Sequence, residues 1–355
     1  MARIRFGACL WVSSVLCAAP VSADAGPQRR SASLYRLARA TEATQAERLL
    51  KQANARVREA LRAGPADFRT VCERTRALRL AGDEETQRNS RRRAMSTLVR
   101  KALERRAYLD DALARLARAL ELDPENPELV QAQARVLTLW EEPRGFEDCQ
   151  VRRRDFEAIA AFERLRALDP SFAASDVHFQ LGLLFTRTHA FDEAAAAYTR
   201  AIELAFDARE TASAQGNLAE VIMLAGDPAG ALPHYERALA LSQGGREYAL
   251  SLFGAAVALD RLGEHDAALE KAATAVDAAG RSLSVLRAPG VFFEPEYELA
   301  YYEALGHEAL ARLLPETREL ALDAAAASYR TFLAAAAPDD PYRVSAQLNL
   351  DALTR

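Results

Sequence analysis

The feature that most constrains how this chain can fold is a recurrence of small residues. Ala194, Ala231 and Ala268 stand 37 residues apart; Ala201, Ala238 and Ala275 follow them by seven, and Gly182, Ala219 and Ala256 precede them by twelve. A spacing of seven puts two residues on one helix face two turns apart. The position twelve earlier lies across a turn, on a preceding helix. Small residues at all three places suit two antiparallel helices pressed together, with Leu181, Leu218, Phe191, Tyr198 and Tyr235 filling the space around the contact. A unit of this kind buries its apolar face only against a neighbouring unit, so the repeats predict an elongated array.

The remainder is read in the same terms. Helical periodicity covers nearly the whole chain and no strand alternation recurs, so the fold class is all-α. A parallel-sheet enzyme fold would need β-branched runs between helices, and they are absent. Residues 31–63 read as one or two helices with apolar positions at Leu34, Leu37, Leu49, Leu50, Val57 and Leu61, ended by Gly64-Pro65, with Asp67 as the next cap. The charged stretch GDEETQRNSRRR from Gly82 reads as a turn or loose helix end, with helices resuming near Ala94. Residues 108–127 form a second helix with Ala112 and Ala119 in register, although Arg100 stands where its partner helix needs a small residue. Residues 128–170 form another pair around the insertion EEPRGFEDCQVRRRD, and Phe292-Phe293 sit in a connecting segment too apolar for an ordinary solvated loop.

This framework resembles the tetratricopeptide repeat, strongly over residues 175–282. The resemblance implies a right-handed α-solenoid of antiparallel helix pairs, about six of them, three carrying the full pattern. The family's unit is 34 residues, so each connection is expected to carry about three extra residues. His189 stands where glycine usually makes the turn, and Ala272 replaces an aromatic residue. The C-terminal spacing of Tyr329, Phe332-Leu333, Pro338 and Pro341-Tyr342 is similar to the closing repeats of bacterial periplasmic members, where a last helix covers the exposed face. The expected division is a signal peptide at 1–23, a basic helical segment at 24–92, degenerate pairs at 93–174 with an insertion at 141–155, three repeats at 175–282, an apolar connection at 283–297, and a final pair with capping helix at 298–355.

Arg3 and Arg5 precede the apolar run FGACLWVSSVLCAAP, and VSA places small residues before a cut after Ala23, so the chain is expected to be exported to a bacterial periplasm or cell envelope. Nothing after the cut is apolar enough to span a membrane. Cys72 and Cys149 would then remain, either paired or as free thiols. The formal net charge of −4 hides a split: residues 24–106 carry 21 basic and 10 acidic side chains, residues 107–355 carry 23 and 40. The basic part offers a surface for anionic envelope polymers, or is simply solvated.

The five histidines at 178, 189, 234, 265 and 307 include no pair three or four apart, so no metal site is expected. SQGGREY at 242–248 lacks the lysine of a phosphate loop, and no nucleophile elbow occurs. No cofactor and no enzyme activity are expected, and arginine runs without aromatics do not suit nucleic acid. The resemblance instead implies a groove along the first helices of the repeats. Residue by residue it falls on Phe179, Leu183, Arg187, Asn217, Glu220, Met223, Phe253, Val257 and Arg261. The carboxylate clamp of chaperone-binding members is matched only by Asn217. The expected role is a scaffold that holds a protein or peptide partner in an envelope assembly, unless another helix of the same chain fills the groove.

Overall fold

The computed structural model describes residues 27–63, 85–143, 151–242, 244–288 and 290–354. The expected signal peptide and both Cys72 and Cys149 lie outside the described residues. The described chain is an all-α solenoid of helix pairs. Its helices are α1 (Pro27–Ala63), α2 (Glu85–Leu122), α3 (Pro127–Leu139), α4 (Asp155–Leu168), α5 (Ala174–Arg187), α6 (Phe191–Leu204) and α7 (Ala208–Leu224). They continue as α8 (Pro228–Leu241), α9 (Gly245–Arg261), α10 (His265–Ala278), α11 (Glu298–Leu313), α12 (Arg318–Ala335) and α13 (Arg343–Leu353). Successive helices pack on one another throughout, and α9 also touches α7 and α11.

The small-residue framework is the seam of each pair. Ala194, Ala231, Ala268, Ala219 and Ala256 are fully buried. A Cβ on Gly182 would lie 2.7 Å from Cε1 of Tyr198, so glycine is what lets α5 and α6 close on that ring. The turns inside the pairs recur at the same spacing, with His189 at φ 59°, Gly226 at 95° and Gly263 at 85°. All three are left-handed, and histidine is strained where its two counterparts are glycines. The extra residues of the 37-residue period are not in the connections, which stay at three residues. They lengthen the first helices: α7 and α9 have 17 residues against 14 in α8 and α10. Added helix satisfies its own backbone hydrogen bonds, as an added loop does not.

Two further expectations are corrected at the N-terminal end. Residues 93–122 are not a helix pair, because α2 runs unbroken for 38 residues and its partner is α1. Arginine and glutamate form helices well when solvated, so residues 85–93, which lack glycine and proline, are helix, while Gly82 to Glu84 lie outside the described residues. Residues buried in this hairpin are Ala46, Ala53 and Ala60 against Leu109, Ala112, Leu116 and Ala119. The seven-residue spacing is that of a close coiled-coil contact, while Leu61, expected as an apolar contact, is half exposed. The insertion forms a two-stranded antiparallel ribbon, β1 (Glu141–Pro143) on β2 (Val151–Arg153). Beside it, buried Trp140 donates its indole N–H to Asp110 at 2.7 Å and has Arg106 and Arg154 over its ring.

Candidate functional site: a chamber on the repeat groove

The first helices α5, α7 and α9 share one face, and between them lies a cavity of about 300 Å³. Phe179 and Leu183 of α5, Val221 and Leu224 of α7 and Leu250 of α9 give it an apolar lining. Phe179 meets Tyr198 edge-on, with ring centroids 5.7 Å apart. Ser213, Asn217 and Glu220 of α7 and Arg246 and Glu247 of α9 add polar groups. The side chain of Asn217 makes no hydrogen bond among the described residues.

The connection before α11 closes one side of the chamber, because Gly290 to Glu294 and Tyr302 also line it. Phe293 packs edge-on against Tyr302 at 4.9 Å, and Phe292 lies under the guanidinium of Arg187 at 5.0 Å. Glu294 is held by Arg153 of the ribbon at 3.4 Å. The apolar pair noticed in the sequence is therefore packed on the groove rather than turned to solvent. Arg187 itself stands 3.6 Å from Asp155, and its Nε and Nη1 have no hydrogen-bond partner.

Glu220 is the most distinctive group in the chamber. Its Oε2 accepts hydrogen bonds from the hydroxyls of Tyr235 and Tyr302, each at 2.6 Å. Burial holds both hydroxyls well above the ordinary tyrosine range, and the Glu220 charge raises them further, so they remain donors. Oε1 takes no hydrogen bond, and no cation lies within ion-pair distance of this carboxylate among the described residues. Glu247, by contrast, has Arg246 at 3.5 Å and Arg209 at 3.8 Å.

The remaining residues expected on an open groove are elsewhere. Met223, Phe253 and Val257 are fully buried and Arg261 nearly so, because α11 and the segment leading into α13 cover the third repeat. Tyr342 reaches back to donate to the carbonyl of Met223 at 3.0 Å and stacks under Arg261 at 3.8 Å. Arg261 pairs with buried Glu298 of α11. Phe179, Leu183, Asn217 and Glu220 are thus brought together, Arg187 stands beside them over Phe292, and Met223, Phe253, Val257 and Arg261 are core. The signal for this lay in the C-terminal aromatics, but which repeat they would cover depends on the superhelix.

A second cluster was not anticipated. Asp260 accepts from Tyr301 at 2.5 Å, from Asn349 at 2.9 Å and meets Nδ1 of His265 at 2.6 Å. His265 Nε2 is 3.4 Å from Glu308, which accepts from Tyr329 at 2.7 Å. Hydrogen bonds to Asp260 and then Glu308 push His265 up to about 10, so at neutral pH it is a cation tying α9, α10 and α11 together. The six residues of the cluster come from five helices, a grouping no local spacing announces. Among the described residues no group of side chains could hold a metal ion, and no helix is long and apolar enough to cross a membrane. Part of the basic N-terminal charge is paired internally, as in Arg56 with Asp111 at 2.6 Å and Arg106 with Glu142.

Residues 210–280 match the family model described as tetratricopeptide repeat. Solved structures similar to this chain include PilF of Pseudomonas aeruginosa, at 18% identity and a TM-score of 0.44 over 72% of this chain and 94% of that one. YrrB, described as a tetratricopeptide-repeat protein with an unusual peptide-binding site, aligns at 20% identity and a TM-score of 0.41 over 53% and 88%. MamA aligns at 20% identity and a TM-score of 0.40 over 49% and 84%. Among curated proteins, none matches the sequence significantly. The family match falls on the second and third copies of a helix-pair array that continues on both sides of it, so residues 210–280 are tetratricopeptide repeats within a longer array of helix pairs.

Proposed function

We propose that this protein is a non-catalytic scaffold exported to a bacterial cell envelope, where the groove of α5, α7 and α9 grips a peptide segment of a protein partner. The observation that carries the reading is the chamber of about 300 Å³ that remains where the chain's own C-terminal helices stop covering the groove. Its size is at the lower end of small-ligand pockets, enough for one or two anchoring side chains. Phe179 and Leu183 supply apolar contact, and the unengaged amide of Asn217 suits a peptide backbone. The support for export is in the sequence, from Arg3 and Arg5 through the apolar run to the small residues before Asp24.

A photo-crosslinking residue at Ser213, on the chamber wall, tests the groove against the same residue at Leu320, which is exposed on α12. The expected result is a discrete adduct in cells from position 213 alone, lost when Leu183→Arg fills the chamber. Identical adducts from both positions would sink the groove reading. N-terminal sequencing of the exported protein should find Asp24, and a secreted chain still starting at Met1 would overturn the cleavage assignment. Salt-sensitive retention on an anionic polymer through residues 24–106, without any adduct at 213, would favour the polymer-attachment role instead.

A further inference from the structure

The chamber is unusual in its charge balance as well as its shape. Six aromatic rings contribute to its wall, from Phe179, Tyr198, Tyr235, Phe292, Phe293 and Tyr302. Three carboxylates, Glu220, Glu247 and Glu294, share that wall with one guanidinium, Arg246. Two of the three acids are matched, Glu294 by Arg153 at 3.4 Å and Glu247 by Arg246 at 3.5 Å. Glu220 has no cation within ion-pair distance among the described residues. Its Oε2 is fixed by two tyrosine hydroxyls, which leaves Oε1 as an acceptor already held in place at the end of an apolar, aromatic passage.

A lone carboxylate against aromatic faces attracts a positive charge twice, by ion pairing and by the quadrupoles of the rings. An acidic or uncharged polar group gains neither, and a purely aliphatic one leaves the carboxylate desolvated without a partner. A long side chain with an apolar stem and a charged tip satisfies both parts of the chamber. The same chemistry already occurs at its edge, where Arg187 lies over Phe292.

Building on the groove function above, we propose that the chamber receives one lysine or arginine side chain of the partner peptide, its stem against Phe179, Leu183 and Phe293 and its charged end at Glu220. The partner segment is therefore basic at the anchoring position and apolar beside it. Neither Asn217 nor the basic N-terminal helices take part in this selection.

Selection of a displayed library of random dodecapeptides on the full chain tests this. Enriched sequences should carry lysine or arginine next to an apolar residue. Binding of a synthetic enriched peptide should fall at least tenfold with Glu220→Gln, which keeps an acceptor for both tyrosines, and be abolished by Leu183→Arg. Exchanging the basic residue of the peptide for citrulline or norleucine should give the same loss without touching the protein, which keeps the test valid if Glu220→Gln unfolds. Peptides that lose binding with Leu183→Arg but show no basic preference, or tolerate citrulline, would overturn the charge assignment and leave the groove in place. Failure to enrich any peptide sensitive to Leu183→Arg would overturn both.

Discussion

Two glycines inside first helices should respond to alanine in opposite directions. In Gly254→Ala the new Cβ would lie 2.3 Å from Cε1, 2.4 Å from Cζ and 2.5 Å from Oη of Tyr235. The ring has little room to yield, since it is buried and its hydroxyl is bound to Glu220 at 2.6 Å. If it stays, the overlap costs about 1 to 3 kcal/mol. If it swings away, it forfeits a hydrogen bond to a charged group, about 1.5 to 3 kcal/mol, and disturbs its packing. Alanine in a helix interior returns about 1 kcal/mol, which leaves a net destabilisation of about 1 kcal/mol and at most about 2 kcal/mol. In Gly216→Ala the nearest atom is Oγ of Ser251 at 3.4 Å, an ordinary contact, so the helix term should dominate and the variant should gain up to about 1 kcal/mol. Thermal and urea unfolding of both variants beside wild type, with hydrogen exchange in α7 to α9 as a local readout, measures the contrast. An unfolding midpoint of Gly254→Ala at or above wild type would refute the reasoning, because it would mean that the Tyr235 ring is not wedged against α9.

Ala231→Leu should lower stability by about 1 to 3 kcal/mol, since Ala231 is fully buried in the α7–α8 seam; an unchanged midpoint would contradict the register of the repeats. Phe253→Ala should cost about 3 to 5 kcal/mol and Phe179→Ala clearly less, because the first is core and the second lines the chamber; equal losses would contradict the division of the groove. The His265 charge contributes stability that is fully present below its unfolded value near 6.5 and is lost as pH rises through about 10. The melting temperature should therefore fall between pH 7 and 10, moderately because the ring is partly exposed, and His265→Asn should flatten that slope; a parallel slope in the variant would exclude His265 as its source.

The repeat was legible because it is a local property twice over. Small residues at 182, 194 and 201, returning 37 residues later, specify which helix faces touch, and helix periodicity needs only a few neighbouring residues to declare itself. The same reasoning placed the end of α1 before Gly64-Pro65 and expected the capping helix after Pro341-Tyr342. It failed where composition stood in for geometry. Charged residues 85–93 lie within α2 because solvated arginines sustain a helix, and the fully buried positions of α1 are the alanines 46, 53 and 60, with Leu49, Leu50 and Val57 packed half-buried beside them. The candidate site was half legible. Phe179, Leu183, Asn217 and Glu220 follow from the repeat register, but the burial of Met223, Phe253, Val257 and Arg261 follows from Tyr342 returning across 119 residues to the end of α7. Glu220 was identifiable as a groove residue; its two tyrosine donors are 15 and 82 residues away. Sequence alone determines which faces of each helix pair are apolar, because burial acts through the nearest turns. Where the superhelix brings distant repeats together, and hence which part of the groove stays open, is decided by accumulated small rotations between pairs, and those exist only in the folded chain.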